Sequence, residues 1–403
     1  MIIREGRVQI EVPQKEGSHL PGHTPVFYNP RMHPNRDLSV LMAKYLALER
    51  GQAFQAVETH AASGITSLRW HKEAPEAIQC TYSSDISLES VRVFRRNYEL
   101  NAMAPERYCV YEMDGRKLLE RIRTEPVHFI EVDPFGIAIP YVEAAIITLD
   151  NGGILSVTNT NLSPLAGSYV NACRRKYTAV PLKNEFKHEI GLRILLKKII
   201  ERGAEHDIAM VPVLSVAHQH FYKVFLRKER GARRANDLLN RVGFLFYCPN
   251  CLNRKSVVHV NRAEQRCDMC GHGFHYAGPM WLGALVDTSV VEAVYRIAES
   301  LDALLHPTTR RILRLLREES RLSVVGYYHM PRLVQKWRLP TQPPLRRVLR
   351  WVKGTRTHFA GDGFRTALSH QELVQAFRSH LPVKINVLGP APWEEVISQT
   401  DAH

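Results

Sequence analysis

The stretch Val127-His128-Phe129-Ile130-Glu131-Val132-Asp133-Pro134-Phe135-Gly136 decides how the chain folds and where its chemistry lies. Its first residues form an apolar run that is typical of a short buried strand, and Pro134 and Gly136 end that strand. In open α/β sheets, ligands bind beyond the carboxyl ends of the strands. A carboxylate placed there, Asp133, can accept hydrogen bonds from an amine, and Phe135 can stack on a flat ring. The alternative is an aspartate that only caps the following helix.

Strands and helices alternate along the chain around this stretch. The apolar runs predict strands at 53–58, 80–84, 108–113, 127–132 and 152–158, with helices between them. Two further strands, at 208–216 and 221–226, would complete the sheet. This βαβα order predicts a parallel, doubly wound α/β sheet of the Rossmann-like kind.

Acidic residues follow the ends of four of these strands. Asp85, Asp114 and Asp133 each end a strand, and Glu58 lies near the end of the first. One such acid is unremarkable, but four on one edge of a sheet indicate a binding site. An acid after the second strand is the usual partner of ribose hydroxyls.

A turn of small residues, Ala61-Ala62-Ser63-Gly64, follows the first strand. Small residues let a ligand approach the backbone closely. The turn lacks the G-x-G-x-x-G pattern that binds a pyrophosphate. A nucleoside ligand without a pyrophosphate therefore fits this edge better than a dinucleotide.

The segment before the sheet combines aromatic and charged residues. Phe27 and Tyr28 precede Arg36, and Asn35 or Asp37 is predicted to cap a helix that starts at about residue 38. Spacing alone favours a plain loop here over a binding loop.

Four of the seven cysteines form two C-x-x-C pairs. Cys248 and Cys251 are separated by 15 residues from Cys267 and Cys270. This spacing is a strong signal for a zinc ribbon, in which four thiolates close a tetrahedral structural site. The alternative is four unrelated thiols.

The chain carries a net charge of +14, with a sequence pI of about 9.5. This excess predicts a polyanionic partner, most simply a nucleic acid, over a basic surface kept for solubility. The charge is clustered, with 14 lysines and arginines against three acids between Arg310 and Arg365. Helices predicted from about residue 289 and a strand or wing at 355–359 suggest a small winged-helix-like α+β domain.

Membrane and export signals do not appear in the sequence. No apolar run approaches the roughly 20 residues that a membrane-spanning helix needs. The first residues, 1–6, lack the apolar core of a signal peptide. We therefore expect a cytoplasmic protein without a membrane partner, and we expect it to be a monomer.

Taken together, these residues resemble the tRNA guanine-N2 dimethyltransferase family, whose members modify guanine 26 of tRNA. The matching stretches occur in family order, and they are Val26-Phe27-Tyr28-Asn29-Pro30, Asn35-Arg36-Asp37-Leu38-Ser39, Ala62-Ser63-Gly64-Ile65, Asp133-Pro134-Phe135-Gly136, His188-Glu189-Ile190-Gly191-Leu192-Arg193, Gly278-Pro279-Met280-Trp281-Leu282-Gly283 and Thr357-His358-Phe359. Two positions depart from the family pattern. Glu58 stands where Asp is also common, and Thr66 stands where Arg is frequent.

The resemblance implies S-adenosylmethionine as the methyl donor. By match, the donor-binding residues are Asp85 for the ribose hydroxyls, Asp114 for the adenine, Arg36 for the methionine carboxylate, and Glu58, Ser63 and Gly64 for the methionine end. The target guanine must leave its base stack to reach the methyl group. Phe27 and Phe135 would hold the extruded base, and Asp133 would accept its proton with help from the Pro134 carbonyl.

The cysteine spacing, the charge distribution and the resemblance together predict a division into three parts. Residues 1–245 would form the S-adenosylmethionine-dependent methyltransferase domain, 246–285 the zinc ribbon and 286–403 a basic tRNA-binding domain. The arginines expected to meet tRNA phosphates are Arg346, Arg347, Arg350 and Arg356. Two other functions stay open, an adenine-N6 methyltransferase of DNA or RNA and a non-catalytic zinc RNA-binding protein.

Overall fold

The computed structural model describes residues 1–13, 26–259 and 265–381. In chain order the strands are β1 (Ile2–Glu5), β2 (Val8–Glu11), β3 (Phe54–Glu58), β4 (Ile78–Asp85), β5 (Tyr108–Glu112), β6 (Val127–Val132), β7 (Ile154–Asn159), β8 (Ile208–His218), β9 (Phe221–Arg230), β10 (Val242–Tyr247), β11 (Arg254–Val257), β12 (His275–Trp281), β13 (Tyr328–His329), β14 (Thr355–Arg356) and β15 (Gly363–Arg365). The helices are α1 (His33–Arg50), α2 (Ile65–Glu73), α3 (Leu88–Leu100), α4 (Gly115–Arg121), α5 (Ile139–Thr148), α6 (Val170–Tyr177), α7 (Lys187–Ala204), α8 (Ala232–Leu239), α9 (Thr288–Ser300), α10 (Pro307–Glu319), α11 (Met330–Trp337), α12 (Leu345–Trp351) and α13 (His370–Arg378).

The chain forms two compact units, each assembled from separate segments. Unit 1 comprises Met1–Leu162, Ile199–Leu239 and Leu285–Ser320. Unit 2 comprises Ser163–Lys198, Asn240–Ala284 and the chain from Arg321 onward. The three successive domains expected from the sequence stay a prediction, and residues 382–403 of the last one lie outside the described residues.

Unit 1 is built on a seven-stranded sheet in the order β5-β4-β3-β6-β7-β9-β8. The first five strands are parallel, which confirms the predicted doubly wound α/β sheet. β8 and β9 form a hairpin, and β9 returns between β8 and β7. β9 therefore runs antiparallel to both of these strands. The strand order reverses between β3 and β6, and this switch point is where such sheets bind ligands.

Helix α1 starts earlier than the sequence suggests. It begins at His33, after a 3-10 turn at Pro30–Met32, and Pro34 fits its first turn because that position needs no backbone donor. The prediction that Asn35 or Asp37 caps this helix is therefore wrong. Both side chains lie inside the helix and are buried, so they are available for contacts within unit 1.

Unit 2 contains two three-stranded sheets, in the orders β11-β10-β12 and β13-β15-β14. A buried ion-pair cluster ties its segments together. The carboxylate of Glu189 accepts hydrogen bonds from Arg193 and Arg365, each at 2.8 Å, and from the backbone N–H of Gly326 at 2.8 Å. Burial raises the pKa of Glu189, but the two arginines outweigh it and bring the pKa to about 2. These contacts give two residues of the matched stretch 188–193 a structural role.

The C-terminal part of unit 2 combines short strands with α11, α12 and α13. Its helices at 330–337 and 345–351 lie where the sequence predicts them. The winged-helix-like assignment of this part stays a prediction. In the described part of the chain, no helix has both the length and the apolar character required to cross a bilayer.

Candidate active site

The carboxyl edge of the unit 1 sheet gathers the four predicted strand-end acids. Glu58 ends β3 and Asp85 ends β4. Asp114 follows β5 by two residues, and Asp133 follows β6 directly. Since these strands are parallel neighbours, their ends share one edge of the sheet.

Asp133 directly follows the switch-point strand β6, and its side chain is half-buried. Burial raises its pKa to about 6, and nearby Glu131 adds to the rise, whereas Lys223, Asn35 and Arg36 oppose it. The side-chain amide of Asn35 donates to Asp133 Oδ2 at 2.8 Å. A carboxylate with this pKa is deprotonated at neutral pH and is still basic enough to accept a proton.

The alternative role of Asp133 as a helix cap does not hold. The next helix, α5, begins at Ile139, and its N-cap residue is Ala138 with no side-chain cap bond. At Asp114 the capping role does hold, because its Oδ1 accepts from the backbone N–H of Arg116 at 2.8 Å at the start of α4.

Two phenylalanine rings lie at the surface next to Asp133. Phe27 and Phe135 make an edge-to-face contact with ring centroids 5.6 Å apart. Phe135 is 87% exposed and Phe27 is 39% exposed, whereas Pro134 between the acid and the ring is buried. The backbone N–H of Gly136 donates to Thr160 Oγ1 at 2.9 Å, which holds this loop in place. Exposed rings cost solvation free energy, and a flat ligand can recover that cost by stacking on them.

The small-residue turn after β3 is fastened to Asp85. Asp85 Oδ2 accepts from the backbone N–H of Ala62 at 2.9 Å, and Oδ1 accepts from that of Ser87 at 2.9 Å. Gly64 adopts a positive φ of 75°, and a Cβ there would lie 2.6 Å from the ring of Phe94. The turn therefore depends on glycine, and Asp85 fixes its position.

Glu58 and Ser63 are buried in unit 1. Ser67 Oγ donates to Glu58 Oε2 at 2.5 Å. Burial raises the pKa of Glu58 to about 8, so its carboxyl group carries a proton at neutral pH. Ser63 is fully buried, and its carbonyl accepts from Asn97 Nδ2 at 2.9 Å.

Asp114 belongs to a small polar cluster that the sequence did not reveal. Arg116 Nε donates to Asp114 at 2.9 Å and holds the pKa of that carboxyl below its usual value. The rings of His60 and Tyr141 meet edge to face at 4.4 Å. Burial lowers the pKa of His60 to about 4, so the imidazole is neutral. The only sequence signal for His60 is its place two residues after the end of a strand.

Arg36 already has an acidic partner within unit 1. Its Nε and Nη2 donate to the two carboxylate oxygens of Glu5 at 2.7 and 2.5 Å. Burial raises the pKa of Glu5, but Arg36 and Arg69 outweigh it and bring the pKa to about 2. Glu5 was not predicted from the sequence because it lies on β1, a four-residue strand without a clear period. The role of Arg36 as a carboxylate partner for a ligand stays a prediction.

Ile86 is a further apolar residue at this edge that the sequence analysis missed. It follows Asp85 directly and is 78% exposed. The available sequence signal was an apolar residue directly after a strand-end acid.

The four predicted metal ligands converge in unit 2. The sulfur atoms of Cys248, Cys251, Cys267 and Cys270 all lie within 4.8 Å of one another, and all four residues are buried. The Sγ atoms of Cys248 and Cys270 are 3.5 Å apart, and so are those of Cys251 and Cys267. Thiolates around a tetrahedral ion with bonds of about 2.3 Å stand about 3.8 Å apart, so the cluster fits such an ion.

Matching turns carry the two cysteine pairs. The backbone N–H of Leu252 donates to the Cys248 carbonyl at 2.9 Å, and that of Gly271 donates to the Cys267 carbonyl at 2.7 Å. Both Leu252 and Gly271 have positive φ, 71° and 68°. The repeated geometry brings both sulfurs of each pair to one side.

The doubly wound sheet, with an acid and a small-residue turn at its carboxyl edge, has the architecture of the Rossmann-like methyltransferases. A sequence model of the family "N2,N2-dimethylguanosine tRNA methyltransferase" matches residues 6–378. The chain belongs to this family.

Relatives of known function match nearly the whole chain. The tRNA (guanine(26)-N(2)/guanine(27)-N(2))-dimethyltransferase of Aquifex aeolicus is 39% identical over 374 residues, which are 93% of this chain and 95% of that protein. The tRNA (guanine(26)-N(2))-dimethyltransferase of Saccharolobus solfataricus is 30% identical and covers 94% and 98%, respectively. Among solved structures, the complex of Trm1 from Pyrococcus horikoshii with S-adenosyl-L-methionine superposes with a TM-score of 0.79. That protein is 26% identical, and the match covers 93% of this chain and 99% of that one.

Proposed function

We propose that this protein transfers methyl groups from S-adenosylmethionine to the exocyclic N2 amine of guanine 26 in tRNA, giving N2-methylguanosine and N2,N2-dimethylguanosine. The observation that carries the proposal is the carboxylate of Asp133, a group with a pKa of about 6 at the switch point beside two exposed aromatic rings. Family membership and the names of the relatives support the substrate.

Donor binding is assigned to the small-residue turn 61–64 and to the residues around it. Asp85 would bind the ribose hydroxyls, and Asp114 would face the adenine. Ser63 and Gly64 would bring the backbone close to the methionine moiety, above Glu58. Arg36 would attract the methionine carboxylate, although Glu5 already accepts two of its donors. Ile86 offers an apolar surface for the adenine ring.

The target base is assigned to the rings beside Asp133. Guanine would leave its stack and lie against Phe27 and Phe135, with Pro134 shaping the floor of the site. Its N2 amine is a weak nucleophile because the lone pair is delocalised into the ring. The donor supplies a methyl group on a positively charged sulfur, which leaves as a neutral thioether.

Proton transfer is the task of Asp133. As the N–CH₃ bond forms, the amine loses a proton to the carboxylate, which restores neutrality at nitrogen. Asn35 occupies Asp133 Oδ2, so the amine would approach Oδ1. A second transfer requires the pocket to admit the monomethylated amine. Alignment of the two substrates supplies much of the remaining acceleration.

We assign zinc to the four-cysteine cluster of unit 2. Four thiolates leave no open position for a substrate, so the ion would be structural and would hold the ribbon of β10, β11 and β12. The burial of all four residues and their mutual distances support this assignment.

A second target, guanine 27, is favoured by one observation. The Aquifex aeolicus relative, whose name includes both guanines, is 39% identical to this chain, against 30% for the Saccharolobus solfataricus relative named for guanine 26 alone. We therefore propose that guanine 27 is also methylated. We further propose that the enzyme works as a cytoplasmic monomer.

Nucleoside analysis tests the reaction. Purified protein is incubated with an unmodified tRNA transcript and labelled S-adenosylmethionine, and the digested product is separated by mass. Labelled N2-methylguanosine and N2,N2-dimethylguanosine support the proposal. Labelled N6-methyladenosine would establish the adenine alternative, and the absence of both transfer and donor binding would favour the non-catalytic RNA-binding alternative.

A further inference from the structure

A buried lysine on β9 lies close to Asp133. Its neighbours along the chain, Tyr222 and Val224, are apolar. Lys223 is the third residue of β9, and it is only 1% exposed. Its ammonium group donates to Glu131 Oε1 at 2.7 Å and to Thr158 Oγ1 at 3.3 Å. Burying a charge is costly unless it is paired and hydrogen-bonded, so Lys223 needs a reason to be there.

The sheet register places this group next to the site. Thr158 on β7 stands directly opposite Lys223 on β9, and Glu131 on β6 stands opposite Ser156 on β7. Paired residues on neighbouring strands point to the same face, so these side chains form one polar patch. That face also meets α1, where Ser39 donates to Glu131 and Asn35 reaches Asp133.

The hydrogen bonds run in one direction from Lys223 to Asp133. An ammonium group can only donate, so Thr158 Oγ1 accepts from Lys223 and turns its own proton elsewhere. That proton goes to Asn35 Oδ1, at 3.3 Å. With its oxygen so occupied, the amide of Asn35 can present only its NH₂ to Asp133 Oδ2, at 2.8 Å.

We propose that Lys223 is a positioning residue for methyl transfer, which acts through Thr158 and Asn35 to fix the Asp133 carboxylate. Asn35 donates to Oδ2 and thereby favours the charged form of Asp133. It also holds the carboxylate plane, so that Oδ1 is directed to the target amine. Without the hydroxyl of Thr158, the amide of Asn35 is free to turn over, and its oxygen would then repel the carboxylate.

This inference rests on the proposed function and adds residues that do not touch substrate or donor. The charged groups that influence Asp133 most strongly come from three elements: Lys223 from β9, Glu131 from β6 and Arg36 from α1. Only the link through Thr158 is altered in the main test, so all three of these charges stay in place.

The main variant is Thr158→Val, which has the shape of threonine without its hydroxyl. Single-turnover rates of tRNA methylation are measured from pH 5 to pH 8 with saturating S-adenosylmethionine. We expect the acidic midpoint to rise by about 0.5–1 pH unit, because a lost hydrogen bond to the charged form raises the pKa of the base. We expect Thr158→Ser, which keeps the hydroxyl, to restore the wild-type midpoint.

Two further variants separate positioning from folding. Thr148→Val removes a buried hydroxyl at the C-terminal end of α5, which donates to the Leu119 carbonyl on α4. This variant should lower the thermal unfolding midpoint without moving the pH midpoint of the transfer rate. The double variant Lys223→Met/Glu131→Gln removes the buried ion pair without leaving one charge alone, and it should raise the pH midpoint at least as far as Thr158→Val does.

The outcomes distinguish the two proposals. An active wild-type enzyme whose pH midpoint is unchanged in Thr158→Val and in the double variant overturns the positioning role. A wild-type protein that transfers no methyl group overturns the proposed function itself.

Discussion

Three carboxyl groups on one sheet edge differ in charge state because their surroundings differ. Asp114 is held ionised by Arg116, which lowers its pKa. Glu58 is buried beside Ser67, and its pKa rises to about 8. Asp133 lies between these cases, with a pKa of about 6. Of these three groups, Asp133 alone combines a deprotonated state at neutral pH with a raised pKa, and this is why we propose it as the proton acceptor.

The pH dependence of methyl transfer follows from the state of Asp133. Its pKa is raised from 3.8 to about 6, so the carboxylate form is lost as the pH falls through about 6. The single-turnover rate should therefore fall about tenfold per pH unit below that value and level off above it. A rate that stays constant down to pH 4.5 would show that the group with this pKa is not the base.

Donor affinity should depend on Asp85. In Asp85→Ala, S-adenosylmethionine loses hydrogen bonds to a charged group, worth about 1.5–3 kcal/mol, or roughly 10–150-fold in Kd. Loss of the bonds to Ala62 and Ser87 also loosens the turn. Calorimetric titration measures the constant, and Asp150→Ala, an acid at the opposite end of the sheet, serves as the control. An unchanged Kd in Asp85→Ala would remove this residue from the donor site.

At the scale of elements, sequence periodicity located most of the unit 1 sheet. The predicted strand 127–132 has the observed bounds of β6, because an apolar run that ends at Asp-Pro leaves little choice. β1 was missed, since four residues with mixed polarity carry no clear period. The direction of β9 was also missed, because hairpin pairing is a tertiary outcome.

The residues of the candidate site that directly follow strands could be predicted from the sequence. The contacts that depend on how the strands pair with one another could not. The acids and rings follow strands directly, so their shared edge could be inferred. The chain of bonds from Lys223 through Thr158 to Asn35 arises only when β7, β9 and α1 meet, and no local pattern encodes that meeting. The pairing of Glu5 with Arg36 likewise requires the unpredicted hairpin of β1 and β2.

The proposed zinc ribbon should depend on a bound metal for its stability. Elemental analysis of the purified protein should find close to one equivalent of zinc, and Cys267→Ser should reduce it and lower the thermal midpoint, because structural sites contribute folding free energy directly. Cys173→Ser, which alters a buried cysteine outside the cluster, is the control and should retain the metal. A fully folded, metal-free protein with reduced thiols would contradict the assignment.

At the scale of the whole molecule, the positive charge is divided between the two units. Arg310, Arg311 and Arg314 line a cavity of about 330 Å³ on α9 and α10 of unit 1. Arg346, Arg347, Arg350 and Arg356 are exposed on unit 2. Removing the chain after Ser320 would leave Glu189 without Arg365, so substitutions test tRNA binding more cleanly than truncation does.

The unit 2 arginines should supply tRNA affinity without chemistry. We expect the quadruple variant in which Arg346, Arg347, Arg350 and Arg356 are replaced with alanine to bind tRNA more weakly. The slope of the logarithm of the tRNA association constant against the logarithm of salt concentration should become shallower by about 3, since each lost phosphate contact removes roughly 0.7–0.9. S-adenosylmethionine binding should not change. The matched variant replaces Arg310, Arg311 and Arg314 with alanine. If that variant loses its affinity for tRNA and the quadruple variant of unit 2 keeps it, the tRNA contacts lie on unit 1.

A single-turnover transfer assay that maps the labelled nucleotide tests whether Asp133 accepts the proton from N2 of guanine 26. Wild-type protein and Asp133→Ala are compared on a tRNA transcript and on the same transcript with adenine at position 26, and S-adenosylmethionine binding is measured for both proteins. We expect label on guanine 26, and a rate lower by roughly 10²–10⁴-fold in Asp133→Ala with donor binding changed only a few-fold. We also expect that the adenine-26 transcript takes up no label at that position. Label at position 26 in that transcript, or a variant that keeps more than about a tenth of the wild-type rate, would contradict this proposal.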